Sequence, residues 1–369
     1  MATQYGVISD VHEKPEKVSD ALRYFKGAGV NNLLVVGDIG EPGKTVTHER
    51  SFTKPILDAI ADSGLTAYVS PGSHETVFGY GEAINWFANN YPGQIIDVTR
   101  QNRVPGDGHD LIFLPGSDFM GGRGEYQLTE NEESGRYLIV SEKKGEKRVE
   151  RKIRDDDLDF ESFNNFRTKN PNKKIMGIKE YSNMNDLKGL VRNPEKTIVV
   201  CHIPRKFDLE GCVDEGHFYS HRKYRKSQII GHENQWVYDE TGVVPGTYDI
   251  DDLKLSGTSC LKLGSSQDEI IAKVEEIYKD GFIPGIYVEK MANRGNKYLK
   301  KLFEDLGITK AISGHFHESV HRAHDVDGKP ILPGKFVKSL FWTPSYMDEG
   351  KMGILTARGK TASYENIVL

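Results

Sequence analysis

The 369-residue chain is poor in cysteine, in long apolar runs and in excess charge, and each shortage excludes a class of protein. Its three cysteines, Cys201, Cys212 and Cys260, form no CxxC pair, which favours a reducing compartment over a disulfide-bonded secreted fold. No stretch approaches the roughly 18 uninterrupted apolar residues that a membrane-spanning helix needs. The net charge of -5 argues against a generic polyanion binder, although it allows local basic patches.

The sequence also lacks signs of secretion, repetition and low complexity. Its first residues, MATQYGVISDVHE, reach a charged motif at Asp10, which leaves no room for the apolar core of a signal peptide. With 37% hydrophobic and 28% charged residues, the composition is that of an ordinary globular protein. We therefore expect a soluble, cytoplasmic protein without membrane contact, and the sequence gives no indication of its oligomeric state.

The first third of the sequence alternates apolar runs with amphipathic stretches. The predicted elements are a strand over 5–9, a helix over about 16–28, a strand over 33–36, a helix over about 51–63 and a strand over 65–70. Strands that alternate with helices at this spacing indicate an α/β fold with a mainly parallel sheet.

The pattern weakens after residue 114 and returns later in the chain. Further buried strands are predicted over 111–114, 197–201 and 311–313, a helix over about 297–306, and a terminal hairpin over 353–369. The charge-dense stretch from Glu130 to Asn172 fits either an exposed hairpin or a long solvated loop.

Five short motifs each end or directly follow a predicted strand. They are Asp10-Val11-His12, Gly37-Asp38, Gly72-Ser73-His74-Glu75, Cys201-His202 and Gly314-His315-Phe316-His317. In α/β sheets the loops at the carboxyl ends of the strands converge on one crevice. Carboxylates and imidazoles gathered there would repel one another unless divalent cations such as Zn, Mn, Fe or Ni neutralised them.

Each motif alone is weak evidence, because a DxH triplet is common and a single histidine is more often a packed core residue. Their order and their shared position at strand ends make chance a poor explanation. The set therefore predicts a metal site.

We predict one domain over residues 1–369, with an insertion or cap over about 204–296. The insertion begins directly after His202, so we expect it to lie over the carboxyl edge of the sheets.

The ordered motifs resemble those of the calcineurin-like metallophosphoesterases, and the resemblance spans Asp10 to His317. It implies a four-layer α/β/β/α sandwich with two divalent metal ions (Mn, Ni, Fe or Zn). By resemblance, the first metal would be bound by Asp10, His12 and His317, and the second by His202 and His315, with Asp38 bridging both. His74 would contact the substrate phosphate and protonate the leaving oxygen.

The sequence departs from the family pattern at Ser73, where the family has an asparagine whose amide oxygen binds the second metal. A serine hydroxyl is one heavy atom shorter and a weaker neutral donor. We expect the second metal either to bind less tightly or to recruit a water in place of the missing oxygen.

The resemblance implies a phosphoester hydrolase with two metals about 3.5–4 Å apart and a metal-bridging hydroxide as nucleophile. A phosphodiesterase and a phosphatase fit the motifs equally well. The competing interpretation is a non-catalytic or weakly active binding protein of the same fold, with an impaired second metal site. Ser73 is the feature in its favour.

Basic residues interleaved with aromatics follow His202 in the sequence. We predict that Arg205, Arg222, Lys223 and Arg225 bind the phosphate ester substrate, which such a mixture would suit if it is a nucleotide or nucleic acid. The alternative is a solvated cap loop with no substrate contact.

Overall fold

The structure is a computed structural model of the chain. It describes residues 2–12, 14–40, 46–106, 108–118, 124–141, 148–153, 160–169, 174–222, 237–238, 242–243, 253–255 and 286–369. The chain divides into two compact units, Met1–Glu215 with Asn293–Leu369, and Gly216–Ala292.

The described helices all lie in the first unit, whereas the strands are divided between the two units. The helices are α1 (Glu16–Gly27), α2 (Val46–Ser63), α3 (Tyr80–Asn90), α4 (Phe160–Lys169), α5 (Leu187–Leu190) and α6 (Lys297–Leu306). The strands are β1 (Thr3–Ile8), β2 (Asn32–Val36), β3 (Thr66–Ser70), β4 (Ile95–Asp97), β5 (Arg103–Pro105), β6 (Asp110–Leu114), β7 (Tyr126–Thr129), β8 (Gly135–Ser141), β9 (Arg148–Ile153), β10 (Lys174–Asn183), β11 (Thr197–Cys201), β12 (Glu215–Arg222), β13 (Val237–Tyr238), β14 (Gly242–Val243), β15 (Leu253–Leu255), β16 (Ile286–Asn293), β17 (Lys310–Ile312), β18 (Ala323–His324), β19 (Leu340–Trp342), β20 (Lys351–Arg358) and β21 (Thr361–Val368).

Two six-stranded sheets form the centre of the first unit. One has the order β21-β20-β1-β2-β3-β4 and the other β18-β19-β17-β11-β6-β5. In the first sheet β1 to β4 run parallel, and the hairpin β20-β21 joins β1 in the antiparallel sense. In the second, β6, β11, β17 and β19 run parallel between antiparallel edge strands.

Three apolar cores show that the two sheets and their helices form four layers. The central core joins residues of both sheets, among them Val7 and Leu34 from the first and Phe113 and Val200 from the second. A second core packs the other face of the first sheet against α1, α2 and α3. A third packs the second sheet against α6 and the residues around α5. This is the predicted α/β/β/α sandwich.

The predicted elements of the first third are present, and the largest shift is at the start of α2; helix α3 and the short strands β4 and β5 were not predicted. All four apolar residues of the predicted helical face, Val18, Ala21, Leu22 and Phe25, are buried in α1. Helix α2 begins at Val46, five residues before the predicted start, and includes Pro55 in its interior. Helix α3 was not predicted, although its buried residues Tyr80, Ile84 and Phe87 follow helical spacing.

The predicted late helix is also present, and its ends have clear causes. The Asn296 side chain accepts a hydrogen bond from the Leu299 amide at 2.7 Å, which caps the start of α6. Gly307, with φ of 68°, ends the helix in the left-handed conformation that glycine adopts readily. The terminal hairpin was likewise predicted, and its strands are β20 and β21.

The charge-dense stretch contains a hairpin, which was one of its two predicted alternatives. Strands β8 and β9 pair in the antiparallel sense within a third sheet of order β7-β10-β8-β9. Tyr137, Ile139 and Tyr181 form a small buried cluster on this sheet. Of the two alternatives, the described residues of this stretch therefore favour the hairpin.

The second unit contains the three-stranded sheet β12-β16-β15 and the two-stranded sheet β13-β14. It lies within the predicted insertion over about 204–296. The position of that insertion over the sheet edge stays a prediction. In the described part of the chain, no helix combines the length and apolarity needed to cross a bilayer.

Phe113→Ala should lower the free energy of unfolding by about 3–5 kcal/mol, because it empties a site between the two sheets. Phe113 is 1% exposed and stacks on Tyr68 with ring centroids 5.8 Å apart. Urea unfolding measures the change, with Leu332→Ala as the control. Leu332 is 74% exposed, so its truncation should cost under about 0.5 kcal/mol. Equal losses in the two variants would contradict the proposed central core.

Candidate metal centre

The five motifs lie at the carboxyl ends of parallel strands from both large sheets. Asp10, Asp38 and Ser73 follow β1, β2 and β3 of the first sheet. His202 directly follows β11, and His315 follows β17, both in the second sheet. The site is thus assembled at one end of the sandwich from loops of two different sheets.

Backbone and side-chain hydrogen bonds connect these loops within and across the sheets. Asp10 N donates to Gly37 O at 3.2 Å, and Gly314 N donates to His202 O at 3.0 Å. Between the sheets, His202 Nδ1 lies 2.8 Å from Val36 O. These contacts fix the loops relative to one another.

Three of the predicted ligands adopt strained backbone conformations. Asp10, Asp38 and His315 have φ angles of 55°, 51° and 73°. The other non-glycine residue with positive φ in the described part of the chain is His321. Left-handed conformations are disfavoured for residues with a Cβ and concentrate at functional sites. Three of the six predicted Asp and His ligands thus share this uncommon backbone conformation.

Gly72 allows two of the loops to approach closely. A Cβ atom at this position would lie 2.3 Å from Asp38 Oδ1 and 2.9 Å from the ring of His202. A glycine is therefore required where the Ser73 loop meets the Asp38 carboxylate.

The first predicted ligand group brings together Asp10, His12 and His317, whose donor atoms all lie within 4.8 Å of one another. The Nε2 atoms of His12 and His317 are 3.3 Å apart, and His317 Nε2 is 3.4 Å from Asp10 Oδ1. Two donors on one cation, each about 2.1 Å from it, are separated by roughly 3.0–3.4 Å. The two spacings to His317 Nε2 match this range, whereas His12 Nε2 is 3.9 Å from Asp10 Oδ1 and would have to approach by about 0.5 Å to share the cation.

The second group brings together Asp38, His202 and His315 within the same limit. His202 Nε2 is 3.0 Å from Asp38 Oδ2. A third group, His12, Asp38 and His74, shares one member with each of the others and so links them. The structure thus brings together all six predicted Asp and His ligands together with His74.

Ser73 is buried beside the second group and contacts Asp38. Its amide donates to Asp38 Oδ1 at 2.5 Å, and its hydroxyl donates to Asp38 Oδ2 at 2.7 Å. The hydroxyl therefore already has a partner, and the predicted metal-ligand role of Ser73 stays a prediction.

Two buried carboxylates dominate the electrostatics of the site. Asp10 and Asp38 are 0% and 2% exposed. Burial opposes their ionisation, but the neighbouring imidazoles outweigh it and lower the pKa of both carboxyls. Both aspartates are therefore available as charged ligands.

The imidazoles around Asp38 have opposite protonation tendencies. Burial and the charge of His202 lower the pKa of His315 to about 3, so its ring stays neutral. Burial also opposes a charge on His202, but Asp38 outweighs it and raises the pKa of His202 to about 10.

The Nε2 atom of His202 provides a further test of whether these residues fit a cation. It is buried, lies beside Asp38 and makes no well-aligned hydrogen bond with any residue that the structure describes. A proton or a metal ion at this point would offset the Asp38 charge, and metal binding releases such protons. Buried imidazole and carboxylate donors of this kind suit transition metals. The residues therefore fit the implied metal.

His74 lies between the two groups. Its amide donates to Asp38 Oδ1 at 3.0 Å, and its ring centroid is 4.5 Å from that of His12. Its Nδ1 is buried and has no hydrogen-bond partner in the described part of the chain. Burial lowers the pKa of His74, although the nearby carboxylates partly offset this effect.

Glu75 has a positioning role that the sequence did not reveal. Its fully buried carboxyl accepts hydrogen bonds from Gly72 N at 2.6 Å, Gly40 N at 2.8 Å and Asp38 N at 3.3 Å. Burial and the Asp38 charge raise the pKa of Glu75 to about 8. It holds the Asp38 loop to the Ser73 loop. Its place in the third motif was the signal that could have indicated this role.

The structure describes the four predicted substrate-binding residues to different extents. Arg205 is 3% exposed, its guanidinium lies over the rings of Phe207 and Phe341, and it donates to Val326 O at 2.7 Å. A guanidinium so held by the protein core speaks against the predicted contact with substrate. Of Arg222 only the backbone in β12 is described, and Lys223 and Arg225 lie outside the described residues.

Comparisons of structure return similar folds at low identity. A protein of Thermus thermophilus is 8% identical with a TM-score of 0.46, and 99% of each chain is covered. A dimetal phosphatase from Danio rerio is 10% identical with a TM-score of 0.37, covering 99% of this chain and 98% of that one. An archaeal phosphodiesterase is 12% identical with a TM-score of 0.24, covering 36% of this chain and 75% of that one. Likenesses at this level say nothing about the substrate.

Comparisons of sequence give the family. No curated protein matches the chain. The family model for calcineurin-like phosphoesterases matches residues 4–233, well over half of the chain, and includes the first four motifs. The chain belongs to the calcineurin-like phosphoesterase family.

Proposed function

We propose that the protein is a dinuclear-metal phosphoester hydrolase. The observation that supports this most strongly is the arrangement of the ligand groups. The first group and the second group lie side by side and are linked through His12, Asp38 and His74. A single structural metal would need one closed group of donors, whereas this arrangement offers two sets of donors in one crevice.

In this proposal, Asp10, His12 and His317 hold the first cation, and His202 and His315 hold the second. Asp38, whose carboxyl groups with His202 and His315 and also with His12, would contribute to holding both. Bound divalent cations supply Lewis-acid chemistry, since they activate water and offset charge on phosphoryl oxygens. Mn, Ni, Fe and Zn all suit these donors.

His74 is the residue we propose to act on the substrate directly. Its low pKa makes the neutral ring the prevailing form near pH 7, and a neutral imidazole can donate one N–H to a phosphate oxygen. The negative charge of a bound phosphate would raise the pKa of His74. The ring could then take up a proton and deliver it to the departing alkoxide.

The substrate is a phosphate ester in this proposal, either a monoester or a diester. A nucleotide or a nucleic acid remains the candidate suggested by the basic and aromatic residues after Arg205. The proposal places the protein in the cytoplasm and involves no membrane contact.

A second candidate function is phosphate-ligand binding without efficient catalysis. The hydrogen bond from the Ser73 hydroxyl to Asp38 favours it, because a hydroxyl used in this way contributes less to a second cation. This candidate predicts at most one tightly bound metal per chain.

A hydrolysis screen distinguishes the two functions. The purified protein is stripped of metal and tested with mono- and diester substrates in the presence of Mn, Ni, Zn, Fe or Mg. Turnover that requires metal supports the hydrolase, and a His12→Ala protein serves as the inactive control. Metal binding without turnover of any ester would support the binding protein.

Asp38→Asn should be the most damaging ligand substitution, because the proposal has Asp38 alone contacting both cations. Loss of its charge leaves both with less neutralisation, so both should bind more weakly. Metal analysis after gel filtration measures the stoichiometry, with Asp97→Asn as a buried-aspartate control outside the site. Two full equivalents of metal in the Asp38→Asn protein would rule out the bridging role.

His74→Ala should keep its metal content but lose turnover by about 10²- to 10⁴-fold, the usual contribution of general acid–base groups. The loss should be smaller for nitrophenyl esters, whose leaving group needs little protonation. Rates for esters of graded leaving-group pKa test this point. A uniform loss across the series would mean that His74 positions the phosphate and delivers no proton.

Ser73→Asn should tighten binding of the second metal, because an amide oxygen reaches one atom further and is the better neutral donor. The metal concentration for half-maximal rate should fall on a single diester substrate, with Ser73→Ala shifting it in the opposite direction. An unchanged or higher concentration would show that serine is not a deficit at this position.

A further inference from the structure

The imidazoles of the two ligand groups are oriented by different means. His202 is anchored through Nδ1, which lies 2.8 Å from Val36 O. Such an outward hydrogen bond fixes the ring of a metal-binding histidine. In the described part of the chain, the ring of His317 has polar contacts only with His12 and Asp10, which belong to its own ligand group. The orientation of His317 therefore needs another cause.

Tyr346 lies directly on the His317 ring. The two rings are nearly parallel, at 13°, and their centroids are 4.0 Å apart. Rotation of the imidazole about its Cβ–Cγ bond would break this face-to-face contact. Aromatic rings in contact have preferred relative orientations, so the tyrosine restricts the angles that the histidine can adopt.

The backbone on either side fixes Tyr346 itself. Tyr346 N donates to Lys351 O at 3.0 Å, and Lys351 N donates back to Tyr346 O at 3.1 Å. Lys351 is the first residue of β20, which lies between β21 and β1 in the first sheet. The backbone of Tyr346 is thus held by hydrogen bonds to a strand of the first sheet.

The residues flanking Tyr346 contact the loop that bears the other two members of the first ligand group. The Ser345 hydroxyl accepts from Ser9 N at 2.8 Å, and Met347 N lies 3.2 Å from both Ser9 O and Asp10 O. Asp348 Oδ1 accepts from Lys14 N at 3.0 Å. Residues 345–348 therefore contact the loop of Asp10 and His12 on either side of these two ligands, at Ser9 and at Lys14.

We propose that Tyr346 is a positioning residue for the first metal: its ring holds the imidazole of His317 so that Nε2 faces the same point as the donors of Asp10 and His12. The inference rests on the proposed function, because it concerns a cation shared by these three residues. Tyr346 acts through His317 and needs no contact with the metal or the substrate. The aromatic face is the part required, and the phenol oxygen is not.

Metal binding in the absence of substrate tests this role. Titration calorimetry with Mn²⁺ on the stripped full-length protein should resolve two binding steps, and an Asp10→Asn protein identifies the step that belongs to the first group. Tyr346→Leu should weaken that step by about 10- to 100-fold, the range for outer partners of metal-binding histidines, and leave the other within about twofold.

Tyr346→Phe is the conservative control and should bind both metals as the unaltered protein does. Tyr24→Leu, at a tyrosine 44% exposed on α1, controls for the loss of a tyrosine elsewhere. Thermal unfolding of each metal-free variant checks folding, and Tyr346→Gln provides a second non-aromatic variant if the leucine protein does not fold.

Each result decides a different point. If Tyr346→Leu and Tyr346→Gln keep both affinities, or weaken both steps equally, the positioning role is overturned while the proposed function stands. If Tyr346→Phe is as weak as Tyr346→Leu, the hydroxyl matters and ring stacking is the wrong explanation. If the unaltered protein binds no Mn²⁺, the proposed function fails first and the inference with it.

Discussion

Two carboxylates, Asp10 and Asp38, lie buried in one crevice, and the other side chains of the site surround them. Asp10 and Asp38 are almost fully shielded from water, and an isolated buried carboxylate carries a large desolvation cost. Among the described residues, backbone amides and neighbouring imidazoles lower that cost. Amides and imidazoles leave carboxylate lone pairs and ring nitrogens accessible to a cation. The same feature that makes the crevice costly therefore suits it to divalent metals.

This arrangement requires the two sheets to be fixed against each other at their carboxyl ends. His202 belongs to the second sheet, yet its ring contacts Val36 and Asp38 of the first. The large core between the sheets, to which Val36 itself belongs, sets the distance across which these loops meet. The left-handed conformations of Asp10, Asp38 and His315 are maintained by this framework. The positions of the ligands therefore depend on the packing between the two sheets.

The helices and strands that were predicted are those with a clear local pattern in the sequence. Continuous apolar runs marked β2 and β11, and four residues at helical spacing marked the buried face of α1. The motifs were found because each follows such a run. Helix α3 was not predicted, although its buried residues follow helical spacing. Trp86, an exposed aromatic, interrupts the polar face of this helix.

What the sequence did not predict are contacts between distant segments. Glu75 accepts from amides in two loops, and a glutamate in a motif gives no sign of which amides it meets. Tyr346 lies 29 residues after the histidine on which it stacks, in a stretch without a recognisable motif. Arg205 was assigned to substrate because it follows His202 in a basic run, but the fold buries it against Phe207 and Phe341. Burial of a long cationic side chain depends on tertiary packing that composition does not encode.

Anomalous diffraction from crystals grown with Mn²⁺ would show whether two cations share this crevice. Two peaks are expected at the manganese edge, one among Asp10, His12 and His317 and the other among Asp38, His202 and His315. Their separation should be about 3.5–4 Å, as in other two-metal sites. A single peak, or peaks away from these side chains, in crystals whose Mn²⁺ concentration saturates binding in solution would mean that the crevice does not hold two cations.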